Sequence, residues 1–245
     1  MTKKHLSILA TLLFFASAVY SHEPLSSKSH QIYFGPEITY ISVDTHVKNV
    51  HIKGHKNFAG LRLGYEYLNP RSFYAGVDYL SMVSSAYFKA SQEGQLVHSS
   101  NQDIIYGNFD LRFGYTLFPK DLFISPFLGL GIYALGSAPN NRGFQEGWAY
   151  LSTGLRSKFP INTTFSLGFN FKIFKSIFSY EEFKNHDINV SEYSYPWGVD
   201  IGMPMIWNFN PAGTWTFQIE PYWTRLDFSQ QQNVFGSKFL IGVHF

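Results

Sequence analysis

The chain closes on residues 239–245, Phe239-Leu240-Ile241-Gly242-Val243-His244-Phe245. Apolar side chains stand at every second position, Phe239, Ile241, Val243 and Phe245, with Leu240, Gly242 and His244 between them. In a strand alternate side chains point to opposite faces, so this segment reads as a strand with one wholly apolar face. That face ends on a terminal aromatic. The rest of the chain decides whether the apolar face meets a protein core or lipid.

Composition favours lipid. Aromatic residues make up 19% of the 245 residues and charged residues only 15%, yet mean hydropathy is −0.10. Soluble domains carry about a quarter charged residues. A helical membrane protein would be far more hydrophobic. Outward apolar and inward polar residues in alternation produce this mixture. The net charge of +2 gives no footing for nucleic acid, and the absence of Cys excludes disulfides, zinc–thiolate sites and thiol catalysis. The N-terminus has the form of a secretory signal: Lys3, Lys4 and His5 precede an apolar run over 6–19, and Ala16, Ala18 and Ser21 offer cleavage positions. Residues 1–21 are therefore expected to be removed between Ala18 and Ser21, leaving 22–245 as one domain. The apolar run is shorter than the roughly 20 residues of a spanning helix.

Period-two alternation recurs through the mature chain. Phe34, Ile38 and Tyr40 oppose Gly35, Glu37 and Thr39, and Leu61, Leu63, Tyr65 and Tyr67 oppose Arg62, Gly64 and Glu66. After the turn signal at Asn69-Pro70-Arg71 the third strand places Asp78 on the inner face. Symmetry about Pro70 sets Arg62 opposite Asp78. Further strands put Asp110, Arg112, Arg156, Lys158, Lys172, Asp200, Glu220 and Lys238 on the inner face. Outward aromatics gather near strand ends, as at Tyr65 and Tyr67 or Trp215 and Trp223, in the manner of interfacial girdles. The polar stretches 44–56, 84–101, 136–147, 176–194 and 227–233 read as long outer loops, alternating with tight turns. About ten strands result (eight if one hairpin is surplus), each near the ~9–11 residues that cross a bilayer at a tilt. The expected fold is all-β: a closed, antiparallel, up-and-down transmembrane β-barrel.

The inner face is then a charge network of Glu37, Arg62, Glu66, Asp78, Asp110, Arg112, Arg156, Lys172, Asp200, Glu220 and Lys238, with Lys158 completing a balance of signs. Barrels of about eight strands are filled by side chains, whereas sixteen to eighteen leave an aqueous channel. Ten strands predict a largely filled lumen with mutually paired charges. A narrow ion path along the same groups is the alternative. His46, His51 and His55 lie close enough in sequence to suggest a metal, but no carboxylate or fixed strand geometry accompanies them, so solvated loop residues are the expectation. Glu181, Glu182 and Asp187 likewise read as a solvated charged loop. No catalytic, cofactor or metal residues are assigned, and no pattern maps onto the outer-membrane phospholipase or the ten-stranded protease family.

Signal, alternating strands and the terminal Phe together resemble the small bacterial outer-membrane barrels of the OmpA, OmpW and opacity-like group. The resemblance spans the mature chain and lies in pattern rather than in a motif. It implies the outer membrane as location, lipid and lipopolysaccharide as surroundings, and assembly by the barrel-assembly machinery, with Phe239, Ile241, Val243 and Phe245 as the signal read. Members of the group serve as adhesins, surface antigens, membrane stabilisers or small channels. The expected function is a surface-exposed structural or adhesin-type barrel meeting a host or surface ligand at its outer loops. A small porin is the alternative, and an outer-membrane enzyme a more distant one.

Overall fold

A computed structural model describes residues 30–47, 49–68, 73–117, 123–137, 143–184, 189–192, 195–209, 214–227 and 231–245; the signal segment lies outside them. Every regular element is a strand: β1 His30–Val47, β2 Val50–Leu68, β3 Phe73–Gln92, β4 Gln95–Tyr115, β5 Phe123–Ser137, β6 Gly143–Pro160, β7 Phe165–Lys184, β8 Asn189–Glu192, β9 Trp197–Gly202, β10 Met205–Asn208, β11 Trp215–Asp227 and β12 Gln231–His244. The short β8, β9 and β10 occupy one position in the sheet, since all three pair with β7 and the latter two also with β11. Proline lacks the N–H that a ladder needs, and Pro196 and Pro204 interrupt this position. Their carbonyls still accept from the Ser176 and Gly168 amides at 2.8 and 2.7 Å. Ten antiparallel strand positions follow, and the first pairs with the last.

The C-terminal strand β12 closes the barrel against β1. Phe34 lies across from Ile241 and Glu37 across from Lys238, and the Phe245 amide donates to the His30 carbonyl at 3.0 Å. Lipid offers no partner for an open edge, so this seam has to be complete. The Phe245 ring stacks on His30 with centroids 5.5 Å apart.

Two expectations need correction. The hairpin register between β2 and β3 places Gly64, not Arg62, across from Asp78, and Arg62 faces Leu80. The link is therefore not symmetric about Pro70. More consequential, most of the stretches expected as outer loops are strand. β1, β2, β3 and β4 run 18, 19, 20 and 21 residues, about twice what a crossing requires. β3 and β4 join through Glu93 and Gly94, both at positive φ (51° and 80°), the two-residue primed turn that matches strand twist.

Phase explains why these strands look polar. Along β1 the outward residues Phe34, Ile38 and Tyr40 are apolar and the inward Glu37 and Thr39 polar; then the relation inverts, with Ile41 and Val43 inward and Ser42 and Asp44 outward. The same inversion occurs on β2, where Ile52 is buried between His51 and Lys53, and on β11, where Leu226 is buried between Arg225 and Asp227. Below the inversion the sheet faces lipid; above it the outside meets water and the inside becomes a core.

Candidate functional site: the lumenal charge belt and its apolar cap

The lumen holds two layers. In the lower one the strands bring charged side chains to a common level. Arg62 donates from Nε to Glu37 Oε2 at 2.5 Å and from Nη1 to Asp78 Oδ1 at 3.3 Å. Arg112 joins Asp78 to Glu66, and Arg156 also pairs with Glu66. Two further pairs complete the belt, Lys172 with Asp110 at 2.5 Å and Lys238 with Glu220 at 2.9 Å. Asp78 and Asp110 are direct cross-strand neighbours, a like-charge arrangement that would destabilise the sheet without the bases around it. Asp200 lies across from Lys172 in register and lines the cavity, with no ion-pair partner within 4 Å among the described residues. Most of these carboxylates are buried, Glu37 completely. Burying an unpaired charge costs several kcal/mol, which is why all of these carboxylates but Asp200 have a base beside them.

Tyrosine hydroxyls bind the network to the wall. Tyr33 donates to Asp78 at 2.6 Å and Tyr222 to Glu37 at 2.5 Å, while the Tyr222 hydroxyl also meets Thr39. The rings fit in a narrow lumen because each lies over a glycine directly across the ladder: Tyr33 over Gly64, Tyr150 over Gly131, Tyr222 over Gly236 and, higher up, Phe174 over Gly198. Any Cβ at these glycines would collide with the ring. Lys172 also stands over the Tyr150 ring, 5.2 Å from its centroid.

The upper layer is apolar, contrary to the expectation of a polar inner face throughout. Ile41, Val43, Val50, Ile52, Leu80 and Met82 from β1 to β3 form one continuous core with Leu135, Trp148, Phe174 and Leu226 on the strands opposite. Trp148 packs between Tyr133 and Phe174 at centroid distances of 4.7 and 5.3 Å. β1 approaches β7 and β8 across the top, so the raised parts of the sheet lean together. Sequence reading did not place Phe58, Tyr106, Trp148 or Phe174 on the inside. The available signal was the inverted alternation, as in Trp148 and Tyr150 about the outward Ala149.

Between the layers lies a cavity of about 90 Å³, lined from below by the belt and from above by Tyr133, Trp148 and Phe174; a second of about 30 Å³ lies within the belt. Asp110 Oδ1 and Asn170 Oδ1 have no protein partner among the described residues, and both residues line the larger space. A polar cavity of this size has room for several ordered waters.

Outside the lumen His51 bonds Asp44 at 2.7 Å on the outer face of the β1–β2 hairpin, and Lys53 reaches the same carboxylate at 3.2 Å. Partial burial raises the Asp44 carboxyl, but the hydrogen bonds and charges of His51 and Lys53 outweigh it and hold Asp44 below the usual range. So His51 does have the carboxylate neighbour that sequence did not show. Among the described residues no group of three or more metal-ligating side chains assembles. The side chains of His46 and His98, and His186 and Asp187 altogether, lie outside them. Glu182, expected to be solvated, is buried.

In fold the chain is similar to the outer-membrane protease OmpT of Escherichia coli, at 12% identity over 93% of this chain and 100% of that one, with a TM-score of 0.64. Weaker likenesses are to Ail of Yersinia pestis in complex with the heparin analogue sucrose octasulfate (13% identity, 89% and 99% covered, TM-score 0.42) and to OprG of Pseudomonas aeruginosa (11% identity, 90% and 98% covered, TM-score 0.41). No curated protein matches the sequence. The model of the outer membrane protein beta-barrel domain matches residues 7–192. With a closed ten-strand barrel, an apolar belt facing outward and that match over most of its length, the chain belongs to the outer membrane protein beta-barrel family, and its place is the bacterial outer membrane.

Proposed function

We propose that this protein is a non-conducting, surface-exposed barrel that presents its raised outer strands to a partner, and that it has no enzymatic role. The observation that carries this reading is the continuous apolar core from Ile41 to Leu226 over the charge belt. Such a core excludes the water column an ion path needs, and most of the charges beneath it stand in ion pairs with one another. Lipopolysaccharide surrounds the outer half of the wall, and Phe239, Ile241, Val243 and Phe245 serve as the segment read by the assembly machinery after removal of a signal within 1–21. The test is planar-bilayer recording. The purified protein is expected to give no conductance steps, whereas Trp148→Ala with Phe174→Ala is expected to give them. Discrete steps from the unmodified protein, shifted by Arg112→Ala or Asp110→Ala, would instead support a narrow channel. An altered lipid A or phospholipid profile in a deletion strain would count against the non-enzymatic reading.

A further inference from the structure

The floor of the larger cavity carries one formal negative charge more than its bases neutralise. Glu37, Glu66, Asp78, Asp110 and Glu220 are served by five bases, Arg62, Arg112, Arg156, Lys172 and Lys238, and Asp200 stands without one among the described residues. Lys158, the remaining inward base, lines neither cavity. Two more acceptors line the same space. Asp110 is only 4% exposed, and Lys172 is held at its Oδ2, so its Oδ1 meets no donor among the described residues. Elsewhere in the belt a carboxylate takes two bases, as Asp78 does from Arg62 and Arg112, and Glu66 from Arg112 and Arg156. Asp110 has one. Asn170 donates its amide N–H to Glu220 at 3.0 Å, and its Oδ1 likewise receives no hydrogen bond. Arg112 Nε, in the same lining, makes no hydrogen bond either, yet the guanidinium charge is taken up by Asp78 and Glu66.

The three acceptors converge around Lys172. Asp200 lies directly across the ladder from it, Asn170 is two residues away on the same strand face, and Asp110 is the carboxylate its ammonium reaches at 2.5 Å. Above them Tyr133, Trp148 and Phe174 bound the space. The faces of aromatic rings are electron-rich and attract cations. Water would satisfy the oxygens, but it brings no charge and gains little from the rings.

We infer that the cavity between belt and cap is a binding site for a small primary ammonium ion. Three N–H donors meet three acceptors, Asp200, Asp110 Oδ1 and Asn170 Oδ1, the positive charge balances Asp200, and the carbon end lies under the rings. A space of about 90 Å³ has room for an ion of a few heavy atoms. A divalent metal is the wrong occupant, since no group of three or more metal-ligating side chains assembles among the described residues. Closed by the core above and the belt below, the site holds its ion without passing it, and it stands whether or not a partner docks outside.

The test uses the full protein, unfolded in urea and refolded into detergent micelles with radiolabelled methylammonium, so that entry into the closed lumen does not limit binding. After gel filtration the folded barrel is expected to retain a single methylammonium ion. Asp200→Asn keeps the shape of the side chain and removes a buried charge that lacks a base. It is expected to fold equally well, read by gel mobility in cold detergent, and to retain at least tenfold less label. Unlabelled ethylammonium is expected to compete during refolding. Tetramethylammonium, which has the charge but no N–H, is expected to compete at least tenfold less well. No retained label (water alone in the cavity), equal retention by Asp200→Asn, or equal competition by tetramethylammonium would overturn the inference.

Discussion

Arg112 bridges two carboxylates of the belt, Asp78 and Glu66, as Arg62 bridges Glu37 and Asp78. Arg112→Met takes one base from each of these buried carboxylates, which keep Arg62 and Arg156, so the loss is expected to stay below the about 3–5 kcal/mol of a fully broken buried pair. The urea midpoint of unfolding from micelles is expected to fall accordingly. Gly131 tests packing in the same way. Tyr150 lies over it, so Gly131→Val forces the ring aside at about 1–3 kcal/mol, and the paired change with Tyr150→Ala is expected to recover part of the loss. Asp44 supplies a pH dependence outside the membrane. Its carboxyl titrates below its unfolded value, so its contribution is present above about pH 4 and is lost as pH falls through the lower folded value. Amide exchange at the outer end of β1–β2 is expected to quicken over that range in the native chain and not in Asp44→Asn.

At the scale of elements, the β12–β1 seam and the β3–β4 turn do opposite things. The seam closes a sheet in lipid and cannot fray. Deleting Phe245 removes its last backbone pair and its stack on His30. Export is expected to continue while the folded, membrane-inserted fraction falls, read as loss of heat-modifiable gel mobility. The turn stands in water and needs only the right φ. Gly94 sits at φ 80°, so Gly94→Ala costs about 1 kcal/mol at the hairpin tip with no effect on the barrel below. The seam's partners were legible from sequence because only one pairing closes the sheet. The register of β2 on β3 was not, because it depends on the geometry of the link around Pro70.

For the molecule as a whole, the division into belt and cap decides what can pass. Charges pair in the half that lipid surrounds, and apolar side chains gather in the half that water surrounds. The protein is expected to migrate as a compact species in cold detergent and to shift on boiling, as a closed barrel does. The likeness to OmpT concerns the fold alone.

The sequence by itself determined the barrel, its strand faces and the location of most inward charges, because alternation is a local property that the chain displays residue by residue. It also held the membrane boundary, in the inversion of phase at Tyr40 and Ile41 and again at Arg225 and Leu226. Apolar residues spaced between polar neighbours there resemble a loop until the outer strands are seen to pack on one another. Only the tertiary structure decided that Arg62 reaches Glu37 and Asp78, that the lumen is capped by Trp148 and Phe174, and that β3 and β4 continue as a paired ribbon to the turn at Glu93 and Gly94. These depend on which distant strands face each other and how far each neighbour extends, relations that alternation along a single strand does not contain.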